Sequence, residues 1–326
     1  PLPTVEPEEV GFSTERLARI VPVMQEYVDA GQVSGITTAV MREGKIAHLE
    51  SVGLRDIENK KPMERDTIFR IFSMSKPITT VAVMMLYEEG KFELSEPIGQ
   101  FIPAFKDVKV YKSGTTKDMV LEKPERAPTI HDLIRHTTGI TYGWGKSSVD
   151  SLYKEADIWN PDLTLKQFGD VIAGLPLNHE PGDRFSYGVS IDILGLLVQE
   201  VSGQPFEDFL KERIFDPLEM TDTGFYVPKN KIDRFAQIYR WRKKKLERIK
   251  EGEAGSYTTP PNAPSGGGGL VSTVDDYLRF AQMILNGGEL DGQRILGPST
   301  VRYMLRDHLA PDQDNGPGVG FGLGFA

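Results

Sequence analysis

Cysteine is absent from this chain of 326 residues, which excludes disulfides, thiolate nucleophiles and cysteine-based metal sites. Missing too is any apolar run near the ~20 residues that span a bilayer, and the start at Pro1 carries no signal-peptide pattern. The expectation is a soluble protein, either cytoplasmic or exported with its signal removed. Basic charge is scarce: 47 acidic against 38 basic residues leave a net charge of −9, and such a surface repels polyanions, so nucleic acid is not an expected partner. The one basic run, Arg240 to Lys250, is interrupted by Trp241, Leu246, Glu247 and Ile249 and reads as a solvated helix or loop face. Internal repeats and long low-complexity segments are lacking.

Motifs for several chemistries are missing as well. Five histidines, at positions 48, 131, 136, 179 and 308, form no H-E-x-x-H, and His131 with His136 are spaced i,i+5 rather than the i,i+4 that shares a helix face. No metal and no cofactor is expected. The glycine run Gly266 to Gly269 lacks a following Lys-Ser/Thr, so it is no phosphate-binding loop; its flexibility suits a chain crossing between domains. Gly188-Val189-Ser190-Ile191-Asp192 fails the nucleophile elbow G-x-S-x-G at its fifth position.

What is present begins at Ser73-Met74-Ser75-Lys76. An S-x-x-K pair at a helix start puts hydroxyl and amine on one face, roughly 5–6 Å apart at Cβ, close enough for proton exchange. The pattern alone is weak, since chance supplies about one such pair in a chain of this size. Ser151 and Lys154 are a second match, set among Asp150, Glu155 and Asp157 and read as a surface turn. After Lys76 come Pro77, tolerated in a first helical turn, an uncharged stretch from Val81 to Tyr87, and Gly90 as a stop. A helix apolar on all sides is buried. Taken alone, Ser73 reads equally well as a nucleophile beside its base or as a helix N-cap beside an exposed lysine.

Ser13 can cap a helix that carries Leu17, Ile20, Val21, Met24 and Val28 on one face and ends near Gly31. Strand-like runs Ile36 to Met41 and Lys45 to Val52 follow, joined at Arg42-Glu43-Gly44. From 91 to 265, Pro, Gly and short helical segments dominate, the best being Thr129 to His136, Thr164 to Ala173, Val189 to Val201 and Phe206 to Ile214. Ser272 with Asp275 resembles a capping-box start, another helix begins near Pro298, and Gly318 to Ala326 alternates glycine with apolar residues like a strand. The expected fold class is α/β of the α+β kind: residues 1–90 and 266–326 form one discontinuous domain, and 91–265 a mainly helical insertion.

Just before one expected helix, Tyr187 sits at a loop end, where a phenol could help a lysine share its proton or could simply pack in the core. Four motifs then occur in order: Ser73-Met74-Ser75-Lys76-Pro77; Leu133-Ile134-Arg135-His136-Thr137-Thr138-Gly139; Pro181-Gly182 with Phe185-Ser186-Tyr187; and Ser265 through Ser272. In these the chain resembles the serine β-lactamase and penicillin-binding-protein superfamily, particularly the class C β-lactamase-like esterases called family VIII carboxylesterases. The resemblance runs from about residue 8 to the end. It implies an antiparallel sheet flanked by helices, an acyl transfer in which Ser73 attacks a carbonyl, and a relay through Lys76 and Tyr187, with either of the two as base. It also implies that the Ser73 backbone N–H is half of an oxyanion hole, and that His136 is structural.

Two departures follow from the same resemblance. Where β-lactam-binding members carry Tyr-x-Asn, position 189 is Val, which favours simple short-chain esters over β-lactams. The family's late Lys/His/Trp-x-Gly strand, which lends the second oxyanion donor, is not found before Ala326. The final strands are therefore expected from a complementing C-terminal fragment or a second chain, since an open sheet edge is otherwise exposed. Tyr142, Trp144, Phe185 and Val189, with Trp159, are candidates for lining the site of a small ester or amide substrate. D-aminopeptidase, D,D-peptidase and weak β-lactamase activities are alternatives within the resemblance, and a catalytically silent peptide or peptidoglycan binder is an alternative of another class.

Overall fold

Glu43 and Gly44 take positive φ angles of 53° and 74°, and this two-residue turn closes the antiparallel pair Gly35–Arg42 and Lys45–Asp56. The structure, a computed structural model, describes residues 1–250, 252–253, 255–311, 313, 315–316 and 318–325. By packing it divides into two units. One comprises Pro1–Ile71, Leu218–Pro260 and Leu270–Leu285; the other comprises Phe72–Pro217, Pro261–Gly269 and Asn286–Ala326. These limits do not coincide with the expected 90/91 and 265/266 boundaries, because the helix after Ser73 packs with the helical unit while residues 218–260 pack with the strands.

In the first unit, Lys61–Pro62 adds a third strand beside Lys45–Asp56, and Phe69–Arg70 pairs antiparallel with Val271–Ser272. Ile68, Val227, Phe235, Tyr257 and Val271 form a buried cluster here. Ser13 does cap a helix, accepting the Arg16 N–H at 3.3 Å, but that helix stops at Leu17 and a second runs Ile20–Asp29. Pro22 explains the break, since it lacks an N–H and its ring crowds the carbonyl four residues earlier, at Ala18. The basic run is a hairpin, Tyr239–Arg242 with Lys245–Arg248, turning through Lys243 and Lys244 at positive φ, and not the helix or loop face expected. Thr273, rather than Ser272, caps the Val274–Leu285 helix by accepting the Asp276 N–H at 3.3 Å. Ser272 lies instead in the Val271–Ser272 strand.

The second unit is built on the Ser190–Ser202 helix, whose Ile191, Ile193, Leu194, Leu196, Leu197 and Val198 are all fully buried. It packs on the Ser75–Glu88, Ile130–Ile134, Leu165–Ala173 and Phe206–Leu210 helices. Each buried Leu or Ile contributes roughly 1.5–3 kcal/mol of apolar transfer, so this helix is the main anchor of the unit. Reciprocal capping boxes at Thr129/Asp132, Ser147/Asp150 and Thr164/Gln167 start three helices of this unit where the sequence places Ser or Thr three residues before an acceptor. Residues 318–325 are not a strand; Ala326 lies outside the described residues. Gly324 turns at φ 80° and the Gly322 N–H bonds the Phe325 carbonyl at 2.7 Å, a local turn rather than an extended run.

Candidate active site

Ser73 is the middle residue of a tight 3₁₀ turn, Phe72–Met74, that runs directly into the Ser75–Glu88 helix. Phe72 has φ 43°, an unusual conformation for a bulky residue and a local store of strain next to the exposed Ser73 side chain. Two positions into the helix, Lys76 is only 3% exposed. The helix is buried from Ile78 to Leu86, as its apolar composition requires.

Lys76 Nζ donates to Ser73 Oγ at 3.1 Å, to the Tyr142 hydroxyl at 3.1 Å and to the Gly267 carbonyl at 2.6 Å. Three acceptors match the three N–H donors of an ammonium group. From the far side of the chain, the Tyr187 hydroxyl donates to the same Ser73 Oγ at 2.8 Å. Lys76 Nζ also sits 4.6 Å over the Tyr187 ring, where the aromatic face attracts a cation. The structure thus brings Ser73, Lys76 and Tyr187 together. The other S-x-x-K match does not pair: Lys154 donates to the Gly145 carbonyl at 2.8 Å and Ser151 to the Ser147 carbonyl at 3.3 Å.

Tyr187 is held from below. A Cβ at the neighbouring Gly188 would fall 2.2 Å from the Ile140 carbonyl, so only glycine lets this loop lie against the 136–142 segment. Ser186 N–H bonds the His136 carbonyl at 2.7 Å, and the His136 ring lies 4.7 Å from the Tyr187 ring. His136 is wholly buried, and burial, aided by the nearby Lys76 charge, lowers it to about pKa 3. A neutral ring packed between Phe185, Tyr187 and Phe321 supports the site as a platform.

Of the pocket candidates, Tyr142 stacks on Trp144 with ring centres 4.2 Å apart and planes 8° from parallel, and Trp159 lies 6.1 Å from Tyr142. Trp144 is 72% exposed, so this stack leads from Lys76 outward to solvent. Phe185 packs instead toward His136 and Phe321. Val189 is fully buried at the start of the Ser190–Ser202 helix and offers a substrate no surface. Its apolar side chain goes into the core, where an amide would need partners.

Two contributors were not singled out in the sequence: the Gly267 carbonyl and Asp192. Asp192 is 1% exposed, and its Oδ1 accepts the Gly267 N–H at 3.1 Å and the Ser265 hydroxyl. The glycine run therefore does more than cross between segments, since its main chain meets Lys76 on one side and Asp192 on the other. The run itself was visible in the sequence, but a buried aspartate 116 residues from Lys76 leaves no periodic signal.

Helix, lysine and tyrosine converge on one serine, and the fold is that of the serine β-lactamase and penicillin-binding-protein superfamily. The family model described as Beta-lactamase matches residues 20–326, and the chain belongs to that family. It is a hydrolase of the β-lactamase fold. The chain is 38% identical over 314 residues to Protein Rv1367c of Mycobacterium tuberculosis, covering 93% of this chain and 77% of that protein. With Esterase EstB of Burkholderia gladioli it shares 30% identity over 327 residues, covering 94% and 78%. Among solved structures it is similar to EstCE1, described as a hydrolase with promiscuous acyltransferase activity, with a TM-score of 0.81, 29% identity and coverage of 95% and 82%.

Proposed function

We propose that this chain hydrolyses small carboxylic esters through an acyl-enzyme on Ser73. The observation that carries the reading is that both Lys76 and Tyr187 reach the one exposed serine hydroxyl, at 3.1 and 2.8 Å. Ser73 Oγ forms a bond to the ester carbonyl carbon while its proton passes into the Lys76–Tyr187 pair. The tetrahedral oxyanion faces the Ser73 backbone N–H, which lies in a first turn where N–H groups have no acceptor within the helix. When the C–O bond to the alcohol breaks, the leaving oxygen takes the proton; water then enters by the same path and restores the serine.

Esters are favoured over β-lactams because the Tyr-x-Asn amide of β-lactam-binding members is absent, position 189 being a valine packed in the core. The names of EstB and of EstCE1 accord with this reading. A silent binder fits less well, since binding alone requires neither a buried lysine nor a phenol on one serine. A panel of p-nitrophenyl esters, nitrocefin and D-alanyl peptides tests the proposal. Turnover is expected for acetate and butyrate esters, with little for nitrocefin; hydrolysis of nitrocefin or D-alanyl peptides in preference to every ester would contradict it.

A further inference from the structure

Lys76 meets the glycine run at one residue, and that residue is gripped from behind by a carboxylate that the acyl-transfer scheme does not use. Gly267 directs its carbonyl to Lys76 Nζ at 2.6 Å and its N–H to Asp192 Oδ1 at 3.1 Å. The Ser265 hydroxyl bonds the same Oδ1, while Oδ2 is buried and meets no hydrogen-bond donor among the described residues. A Cβ on Gly267 would fall 2.4 Å from Oδ2, so the run passes over the carboxylate at a distance only glycine allows. Next along the chain, Thr79 Oγ1 bonds the Gly266 carbonyl at 2.7 Å, fastening the same loop to the Ser75–Glu88 helix without any charge.

We infer that Asp192 is a positioning residue for Lys76: through Gly267 it fixes the carbonyl that holds the amine within reach of Ser73, and its carboxyl group faces the lysine from behind that loop. The inference rests on the serine-hydrolase reading above. Burial raises Asp192 above the usual carboxylate range, and the Ser265 hydroxyl, the Lys76 charge and the Gly267 N–H oppose that rise, in that order. The titratable groups facing Lys76 are Tyr142, Tyr187, His136 and Asp192. Burial lowers His136 and pushes the Tyr142 hydroxyl upward, so Asp192 is the carboxyl group of this set.

The test is the pH dependence of kcat/KM for p-nitrophenyl acetate in wild type, Asp192→Asn, Thr79→Val and Gly267→Ala, each checked for a native circular-dichroism spectrum. Asp192→Asn is expected to move one limb of the profile to lower pH by about one unit and to lower kcat about 10-fold with KM little changed. Gly267→Ala shifts the limb in the same direction, and it serves if Asp192→Asn does not fold. Thr79→Val, which loosens the same loop without altering charge, leaves the limb in place. A limb unmoved in both Asp192→Asn and Gly267→Ala overturns the inference, as does an equal shift in Thr79→Val. Stoichiometric labelling of wild-type Ser73 by a fluorophosphonate separates the two levels: failure to label defeats the serine-hydrolase reading itself.

Discussion

Lys76 Nζ lies 4.6 Å above the ring of Tyr187 while both side chains reach Ser73 Oγ, the amine at 3.1 Å and the phenol at 2.8 Å. Tyr187 thus has two separable parts: its ring steadies a cation, and its hydroxyl meets the nucleophile. Mutation can remove one and leave the other.

Tyr187→Phe retains the ring against His136 and Lys76 and deletes only the hydroxyl. Steady-state hydrolysis of p-nitrophenyl acetate is expected to show kcat reduced about 10²–10⁴-fold, the range for loss of a general acid or base. KM and the thermal midpoint stay near wild type. A kcat within a factor of three of wild type would mean that the hydroxyl takes no part in the relay.

Trp144 stacks on Tyr142 with one face open to solvent, a surface suited to an apolar or aromatic part of the substrate. Trp144→Ala is expected to raise KM for p-nitrophenyl benzoate or hexanoate about 3–10-fold and to leave acetate turnover unchanged, following the ~0.5–1.5 kcal/mol of an aromatic contact. Equal effects on acetate and benzoate would show that Trp144 supports the fold rather than the substrate.

Asp132 is a densely bonded carboxylate of the helical unit, receiving Arg126, Arg135, Thr129 and Thr137 while its side chain is 1% exposed. Those contacts hold its carboxyl well below the usual range, against the opposing and largest influence of burial. Its stabilising contribution is present above the unfolded value near 3.9 and is lost as pH falls through the lower folded value. Urea unfolding of Asp132→Ala at pH 7 is expected to show a loss of about 3–5 kcal/mol, the cost of breaking a buried ion pair from one side. A loss under 1 kcal/mol would contradict this.

Burial lowers His136 to about 3 and His131 to about 4. An unfolded histidine binds its proton near 6.5, so the unfolded chain takes up protons first as pH falls. The stability from these neutral rings is full above about 6.5 and declines as pH drops toward the folded values. The thermal midpoint is therefore expected to fall between pH 7 and 5, and to fall less in His131→Gln. Parallel melting curves for variant and wild type across that range would refute the assignment for His131.

The parts of the site that were legible in the sequence are those set by local geometry. Ser73 and Lys76 are three residues apart at a helix start, so helical spacing alone brings them together. Tyr187 is 114 residues from Ser73, and only the ordered motifs tied it to the serine. Tyr142 reads in the sequence as a pocket wall, yet its hydroxyl bonds Lys76 at 3.1 Å, a contact decided by how the loop after Gly139 folds back. Asp192 is hidden within the most apolar helix of the unit, where an isolated charge carries no pattern. The segment after Gly318 misled because alternating glycine and apolar residues mimic a strand period, whereas glycine at positive φ bends the backbone out of one. The hairpin at 35–56, by contrast, was legible because its turn residues and its alternation agree.

The central claim, that Ser73 carries the acyl group, is tested most directly by intact-protein and peptide mass spectrometry after rapid acid quench during turnover of a slow-deacylating p-nitrophenyl ester. The account predicts one acyl adduct per chain, located on Ser73, with both adduct and turnover lost in Ser73→Ala. Undiminished ester hydrolysis by Ser73→Ala, or an adduct on another residue, would contradict it.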